Sequence, residues 1–204
     1  MTGTALHPLD HVGSQRVFRV LLDALSRPGT IGALPTELLG AADAPAALLV
    51  PLALADLEVT LGVLEPAGAG WAGALAAATG ARPAPAEEAD LVLALRAPRP
   101  DEVRGLRRGT PDRPDRACRL VLSCAALGPE GDVRCALTGP GVDGAAELGV
   151  GGLPVETVEA LVAVNRAFPL GVDAFVVAAD GRVAGLPRST RVRVRAGAGS
   201  WGRS

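Results

Sequence analysis

The alternation of apolar and polar residues predicts a β-hairpin in the C-terminal part of the chain. Residues 174–178 and 182–186 are mostly apolar and include the β-branched residues Val176, Val177 and Val183, and Asp180-Gly181 between them is a turn sequence. A segment of unusual backbone chemistry lies on each side, at residues 168–173 and 185–190. Each segment contains a proline, which lacks an amide donor, and a glycine, which can adopt positive φ. We therefore expect these two segments, which bracket the hairpin, to be loops fixed by contacts rather than helices or strands.

Apolar residues near the N-terminus recur at helical spacing and predict an amphipathic helix. Asp10 or Ser14 is the expected N-cap, and Pro28-Gly29 ends the helix. Arg19 lies on its polar side, where it is a candidate for a ligand or interface contact. The expected apolar stripe consists of Val17, Phe18, Leu21, Leu22 and Leu25.

The rest of the chain alternates predicted strands with predicted helices. Pro51 lies inside the second helix and predicts a kink or a break, and residues 107–109 form the expected stop of the fourth. The loop at 128–132 leads most simply into an antiparallel hairpin. The predicted strands are residues 31–34, 59–64, 90–95, 119–124 and 133–138, and the predicted helices are 46–55, 71–79, 100–107 and 154–166.

This order predicts an α/β fold, a mixed β-sheet covered by helices on both faces. At 204 residues the chain is long enough for a sizeable core. We expect a single domain at residues 1–195 and a flexible, Gly- and Ala-rich tail at 196–204.

Composition narrows the possible chemistry. Apolar residues make up 49% of the chain but aromatic residues only 2%, so the core must be built from Ala, Val and Leu. The formal net charge of −2 provides no basic field for nucleic acid. All 20 basic residues are arginine. The absence of lysine excludes both a phosphate-binding loop of the Walker type and a Schiff base with pyridoxal phosphate.

Cysteine and histidine offer no evident catalytic or metal site. Cys118, Cys124 and Cys135 are not spaced as paired zinc ligands, so we expect them to be small buried apolar residues. His7 and His11 both precede the first helix, where nothing nearby would orient a ring nitrogen. No metal site and no cofactor are predicted.

The N-terminus has no charged leader followed by an apolar run, and no segment reaches the length of about 18 uncharged apolar residues that suggests a membrane span. We therefore expect a soluble, cytoplasmic protein.

Two short segments are the best candidates for ligand or interface contacts. Gly139-Pro140-Gly141 follows a strand and is either a plain turn or a loop that presents backbone donors to a phosphate. Arg188, with Ser189 and Thr190, can grip a phosphate or phosphonate through two hydrogen bonds. It can equally anchor a carboxylate of a partner or of Asp173. Both alternatives stay open at this stage.

Five motifs together resemble one family, the H subunit of the bacterial carbon–phosphorus lyase (phosphonate degradation) system. Their order agrees with that family across nearly the whole chain. The motifs are the helix and Pro-Gly stop at 18–29, Leu54-Ala55-Asp56, the turn at 137–142, and the bracketing segments at 168–173 and 185–190.

The resemblance implies a fold like that of pyridoxal phosphate-dependent transferases, here without the cofactor. It also implies a homodimer when the protein is alone and a hetero-oligomer with the other core subunits of the lyase complex. That complex couples a phosphonate to the ribose of ATP, forming ribose 1-methylphosphonate 5-triphosphate, before a radical subunit breaks the carbon–phosphorus bond.

Two functions from different classes follow. In the first, the chain is a subunit that supports the catalysis of its partners without being catalytic alone. In the second, it binds a nucleotide or a phosphonate itself, at Arg188 and the Gly139 turn. The missing base, lysine and metal site favour the first.

Overall fold

The structure is a computed structural model that describes residues 6–41, 43–129 and 131–196. Two short 3-10 turns, Thr36–Leu39 and Ala46–Leu48, accompany the helices. The helices are α1 His11–Ser26, α2 Leu49–Leu54, α3 Trp71–Thr79, α4 Pro100–Gly105 and α5 Val155–Asn165. The strands are β1 Gly32–Ala33, β2 Thr60–Leu64, β3 Arg82–Pro83, β4 Leu91–Ala94, β5 Arg108–Thr110, β6 Arg113–Ala117, β7 Arg119–Cys124, β8 Ala126–Leu127, β9 Val133–Thr138, β10 Ala146–Gly151, β11 Asp173–Ala178, β12 Arg182–Leu186 and β13 Arg191–Ala196.

The strands form three sheets. The largest has seven strands in the order β1-β12-β11-β7-β4-β2-β3. Its strands β11, β7, β4, β2 and β3 run parallel, whereas β12 pairs antiparallel with both β11 and β1. An antiparallel sheet has the order β13-β9-β10-β8, and β5 and β6 form a separate hairpin.

The large sheet is buried on both faces. Along β4, Leu93 faces the apolar cluster formed with α1, α2 and α3, while Val92 faces the cluster formed with α4, α5 and the four-stranded sheet. Successive side chains of a strand point to opposite faces, so β4, which is buried on both, is apolar at every position. The predicted α/β class with a mixed sheet is confirmed. Helices do lie on both faces, but on one of them they share the cover with a second sheet that was not predicted.

Several local predictions are confirmed. The hairpin of β11 and β12 forms with the expected turn. Strands β7 and β9 and helix α3 have the predicted bounds. Helix α1 begins after Asp10, whose carboxylate accepts a hydrogen bond of 2.6 Å from the amide of Gly13. Asp10 is therefore the N-cap, and Ser14, the other residue predicted for this role, lies inside the helix.

The predicted apolar stripe of α1 is only partly buried. Val17 and Leu21 are buried, but Phe18 is 49% exposed and Leu22 is 57% exposed. Residues one position apart on a helix differ by about 100° in direction, so this wide stripe covers more of the surface than the sheet can bury. With Leu25, Phe18 and Leu22 instead line a groove of about 430 Å³.

The second helix is not broken at Pro51. The 3-10 turn Ala46–Leu48 runs directly into α2, and Leu48 and Leu49 both have right-handed helical backbone angles. Pro51 lies in the first turn of α2, where a missing amide donor costs little.

Two predictions about the middle of the chain, one on a helix end and one on a hairpin, are wrong. Gly109 does not stop a helix, because α4 ends at Gly105 and Arg108–Thr110 is a strand of the β5–β6 hairpin. Strand β9 does not form a hairpin with β7. The short strand β8 pairs with β10 and carries the chain from the large sheet into the second one, where β9 pairs with β10 and β13.

Among the described residues, no helix combines the length and the apolar character needed to cross a membrane. Residues 197–204, most of the predicted tail, lie outside the described residues.

Gly185 permits the close packing of α1 on β12. A Cβ atom at this position would collide with the backbone of Ala24, whereas one at Gly73 in α3 would meet nothing within 4 Å. We expect Gly185→Ala to lower the free energy of unfolding by about 1–3 kcal/mol through overpacking. Gly73→Ala should raise it by about 0.5–1 kcal/mol, because glycine is unfavourable inside a helix. Urea unfolding of both variants measures this, and equal effects would contradict the close packing.

Candidate functional site

The two bracketing segments of the β11–β12 hairpin are joined by an ion pair between Arg188 and Asp173. The Arg188 guanidinium donates from Nη2 to Asp173 Oδ2 at 2.7 Å and from Nε to both carboxylate oxygens at 3.1 and 3.2 Å. The backbone amide of Arg188 donates to Oδ1 at 2.9 Å. The hairpin register, in which Ala174 opposes Leu186, brings the two residues together. The pair is mostly buried, with side-chain exposures of 17% and 20%.

Arg188 also holds a third segment. Its Nη1 donates to the carbonyl oxygen of Pro114 at 2.8 Å, which ties the β5–β6 hairpin to the loop after β12. All three guanidinium nitrogens therefore have acceptors within the chain. Pro114 was missed by the sequence reasoning because the polar, proline-containing segment 108–117 gives no strand signal.

The electrostatics of Asp173 reflect two opposing effects. Burial raises the pKa of its carboxyl, and hydrogen bonds from the side chain and backbone of Arg188, with the charges of Arg188 and Arg119, lower it. The balance holds the pKa of Asp173 below its ordinary value. The pair is therefore charged at neutral pH.

The segment before β11 is fixed by Asn165 at the end of α5. Its side-chain amide donates to the carbonyl of Val172 at 3.0 Å, and its Oδ1 accepts from the amide of Val172 at 2.7 Å. Gly171 has a φ of 150°, and a Cβ there would lie 2.6 Å from Asn165 Oδ1. No sequence pattern pointed to Asn165, because its partner lies across a loop that only the fold closes.

The Gly139-Pro140-Gly141 segment is a turn that packs against two other predicted segments. Gly139 has a φ of 130°, and a Cβ there would lie 3.2 Å from the carbonyl oxygen of Ser189. Gly141 has a φ of 79°, and a Cβ there would collide with the carbonyl of Ser26 at the end of α1. Glycine is needed at both positions for close backbone approach.

Part of the predicted site lines one cavity of about 720 Å³, whose walls come from α5, the Gly139-Pro140 turn and the segment after β12. Thr190 is buried, and its hydroxyl has no hydrogen-bond partner among the described residues. The predicted site residues that line the cavity are Gly139, Arg188, Ser189 and Thr190. Asp173 and Gly141 are not among the residues that line it. Asp173 pairs with Arg188, Gly141 packs against Ser26, and Arg19 lies exposed on α1.

The remaining candidates are placed as the sequence predicts. His7 and His11 are exposed, and the three cysteines are buried. Burial raises the pKa of the Cys118 thiol to about 12 and those of Cys124 and Cys135 to about 11. No cluster of three or more His, Cys, Asp and Glu side chains that could hold a metal occurs within residues 6–41, 43–129 and 131–196.

The hairpin with its two bracketing loops and the glycine turn are thus one connected structure in an α/β chain that lacks a lysine. The sequence matches the family described as "Bacterial phosphonate metabolism protein (PhnH)" over residues 9–193. The chain therefore belongs to this family, as the five motifs indicated. No match was found among curated proteins.

Two arginine–aspartate pairs on the same hairpin offer a matched test. Arg182 pairs with Asp180 at 2.7 Å, but these side chains are 42% and 52% exposed. We expect Arg188→Gln to lower the free energy of unfolding by about 3 kcal/mol, because it leaves the Asp173 carboxylate buried without its partner. Arg182→Gln should cost less than about 1 kcal/mol. Urea unfolding at neutral pH measures both, and similar losses would argue against a structural role for the buried pair.

The lowered pKa of Asp173 also predicts a dependence on pH. A carboxyl whose pKa is lower in the folded state than the unfolded value of about 3.9 contributes stability above that pH. This contribution is lost as the pH falls through the folded pKa. We expect the stability difference between wild type and Asp173→Asn to be constant from about pH 7 to pH 5 and to shrink below about pH 4. A difference that stays constant at low pH would contradict the assigned shift.

Proposed function

We propose that the chain acts in phosphonate metabolism as a non-catalytic subunit of the carbon–phosphorus lyase core complex. Membership of the family supports a role in bacterial phosphonate metabolism. The observation that carries the proposal is the internal pairing of Arg188. Because Asp173 and Pro114 accept its hydrogen bonds, the best candidate for an anion-binding group serves as an anchor that orders three segments.

In this proposal the partner subunits supply the chemistry. They couple the phosphonate to the ribose of ATP, forming ribose 1-methylphosphonate 5-triphosphate, and this chain supports that step by association. Replacing adenine at the ribose carbon needs groups that stabilise the transition state by several kcal/mol. The exposed histidines and the buried cysteine thiols of high pKa are poorly suited to provide them.

We further propose that the chain alone forms a homodimer through the exposed row of α1. Phe18 and Leu22 lie one turn apart and border the groove that also contains Leu25 and Phe175. A contiguous apolar row beside a groove is self-complementary when two copies meet across a two-fold axis, since each row can enter the groove of the other copy.

A second candidate function is direct binding of a phosphonate or nucleotide. The observation that favours it is the cavity of about 720 Å³, in which Gly139, Ser189 and Thr190 lie together. Thr190 also has a buried hydroxyl without a hydrogen-bond partner among the described residues, and a polar ligand could satisfy it after a local movement of this wall. Arg188 as a direct ligand contact stays a prediction.

Co-expression tests the assembly role. We expect the tagged chain to sediment as a dimer when it is purified alone and to co-purify in fixed ratio with the other core subunits when these are present. Phe18→Ser with Leu22→Ser should convert the isolated dimer to monomers, because it removes apolar area from the interface. Leu57→Ser is the control, since Leu57 is 75% exposed and is not among the residues that line the groove.

Analytical ultracentrifugation and affinity co-purification give the two readouts. A chain that sediments as a monomer and does not co-purify with the other subunits would contradict the proposal. Turnover of ATP or a phosphonate by the purified chain alone would contradict a non-catalytic role. Saturable binding of either ligand that Thr190→Val abolishes without unfolding the chain would favour the second candidate.

A further inference from the structure

Strand β13 carries an arginine at every second position. Arg191, Arg193 and Arg195 are exposed, while Val192 and Val194 between them are partly buried. Alternate side chains of a strand point to the same face, about 6.7 Å apart. The three guanidinium groups therefore form a row along the outer face of the four-stranded sheet. The term arginine row denotes these three residues.

The arginine row is not neutralised by carboxylates. No ion pair to any of its three members occurs within the part of the chain that the structure describes, and Arg134, directly opposite Arg195 on β9, adds a fourth positive charge to this face. Glu147 on β10 is the nearest acid on the same face by strand register, where it opposes Ala136. Elsewhere, nine arginines do pair with carboxylates: Arg16, Arg27, Arg96, Arg99, Arg104, Arg107, Arg113, Arg182 and Arg188.

The arginine row lies on an edge strand beside a groove. Strand β13 ends the order β13-β9-β10-β8, so among the described residues one side of its backbone has no strand partner. An open groove of about 940 Å³ lies between β13, α4 and α5. Val192, Val194, Ala160 and Ala163 give it an apolar lining. Charged residues of both signs border it, namely Asp101, Glu156, Glu159, Arg99, Arg104, Arg166 and Arg193. The edge therefore has room beside it for an extended chain.

The charges of this face decide what can pair with the edge. A second copy of β13 would place arginine against arginine, and like charges on adjacent strands are destabilising. Single-stranded nucleic acid would meet positive charge but no aromatic side chain, because the exposed positions of β9 and β13 include none. The remaining partner of matching charge is an acidic protein segment.

We propose that β13 is a docking edge for an extended segment of a partner protein with acidic residues at alternate positions. The segment adds to the sheet through main-chain hydrogen bonds, and its acidic side chains oppose the arginine row. Its other side chains face the groove, where the small apolar lining favours valine or alanine. Alternation, rather than overall acidity, is the recognition feature.

This inference names a contact for the proposed assembly role, but it is tested without the other subunits. The probe is a fluorescein-labelled heptapeptide of alternating glutamate and valine, titrated with the full chain and followed by fluorescence anisotropy. We expect saturable binding that weakens with added salt. The variant Arg191→Glu with Arg193→Glu and Arg195→Glu should lose at least tenfold in affinity for this peptide and should bind an alternating lysine–valine peptide instead.

The control variant carries Arg16→Glu, Arg82→Glu and Arg116→Glu, three exposed arginines outside the edge, and has the same net charge. It should bind the glutamate–valine peptide with an affinity within about threefold of wild type at moderate salt, because the screening length is about 10 Å. If circular dichroism shows that the first variant does not fold, the corresponding Arg→Gln variant replaces it and should lose peptide affinity as well.

Two altered peptides separate strand addition from simple charge attraction. A peptide with the same residues sorted into a glutamate block and a valine block, and one with N-methylated backbone amides, should each bind at least tenfold more weakly. Equal affinity for either, absence of binding by the alternating peptide, or its displacement by oligothymidylate at similar concentration would overturn the proposal. If peptide binding fails while co-purification with the core subunits persists, the docking edge is wrong and the assembly role stands.

Discussion

The pairing of Arg188 with Asp173 fixes the central hairpin where its ladder of hydrogen bonds stops. Asp173 begins β11 and Arg188 follows β12, so the pair closes the open end of the hairpin opposite its turn. Two charges that are mostly withdrawn from water are stable only when each meets the other with good geometry. Because the same guanidinium reaches Pro114, the position of the β5–β6 hairpin depends on this interaction too. The charged groups of the motif thus organise the chain itself.

A second constraint is the size of the side chains in the core. With 2% aromatic residues, the core gains its buried area from many small contacts, which requires backbones to approach closely. Gly185 permits α1 to lie on β12, and Gly141 permits the 139–141 turn to reach Ser26 at the end of α1. Two motifs that resemble the family, the end of α1 and the Gly-Pro-Gly turn, are therefore in contact. Close packing therefore explains why Gly185 and Gly141 are glycines, without any ligand.

The sequence predicted the elements whose pattern is local. Helix α3 and strand β7 follow from periodicity alone, and the β11–β12 hairpin from its turn. It did not predict β6, where charges and proline hide the alternation, or β13, where arginine and valine alternate beyond the last recognised motif. The passage of the chain from the large sheet into the second one depends on β8, which has two residues and is too short to predict from the sequence. The sequence left open whether Arg188 contacts a ligand, a partner or Asp173. The hairpin register brings residues 173 and 188 together, but sequence spacing does not show which hydrogen-bond acceptors lie near the guanidinium.

The distribution of paired and unpaired charge connects fold to function. Where arginines lie within the fold or along its helices, carboxylates of the same chain neutralise many of them, so those charges attract no outside partner. The three arginines of the row on β13 have no carboxylate within ion-pair distance among the described residues, and they lie together on one face. On an edge strand, uncompensated charge repels a like strand and attracts one of opposite sign. In the proposed docking, one set of residues both discourages self-pairing at this edge and favours an acidic partner segment, in keeping with the proposed assembly role.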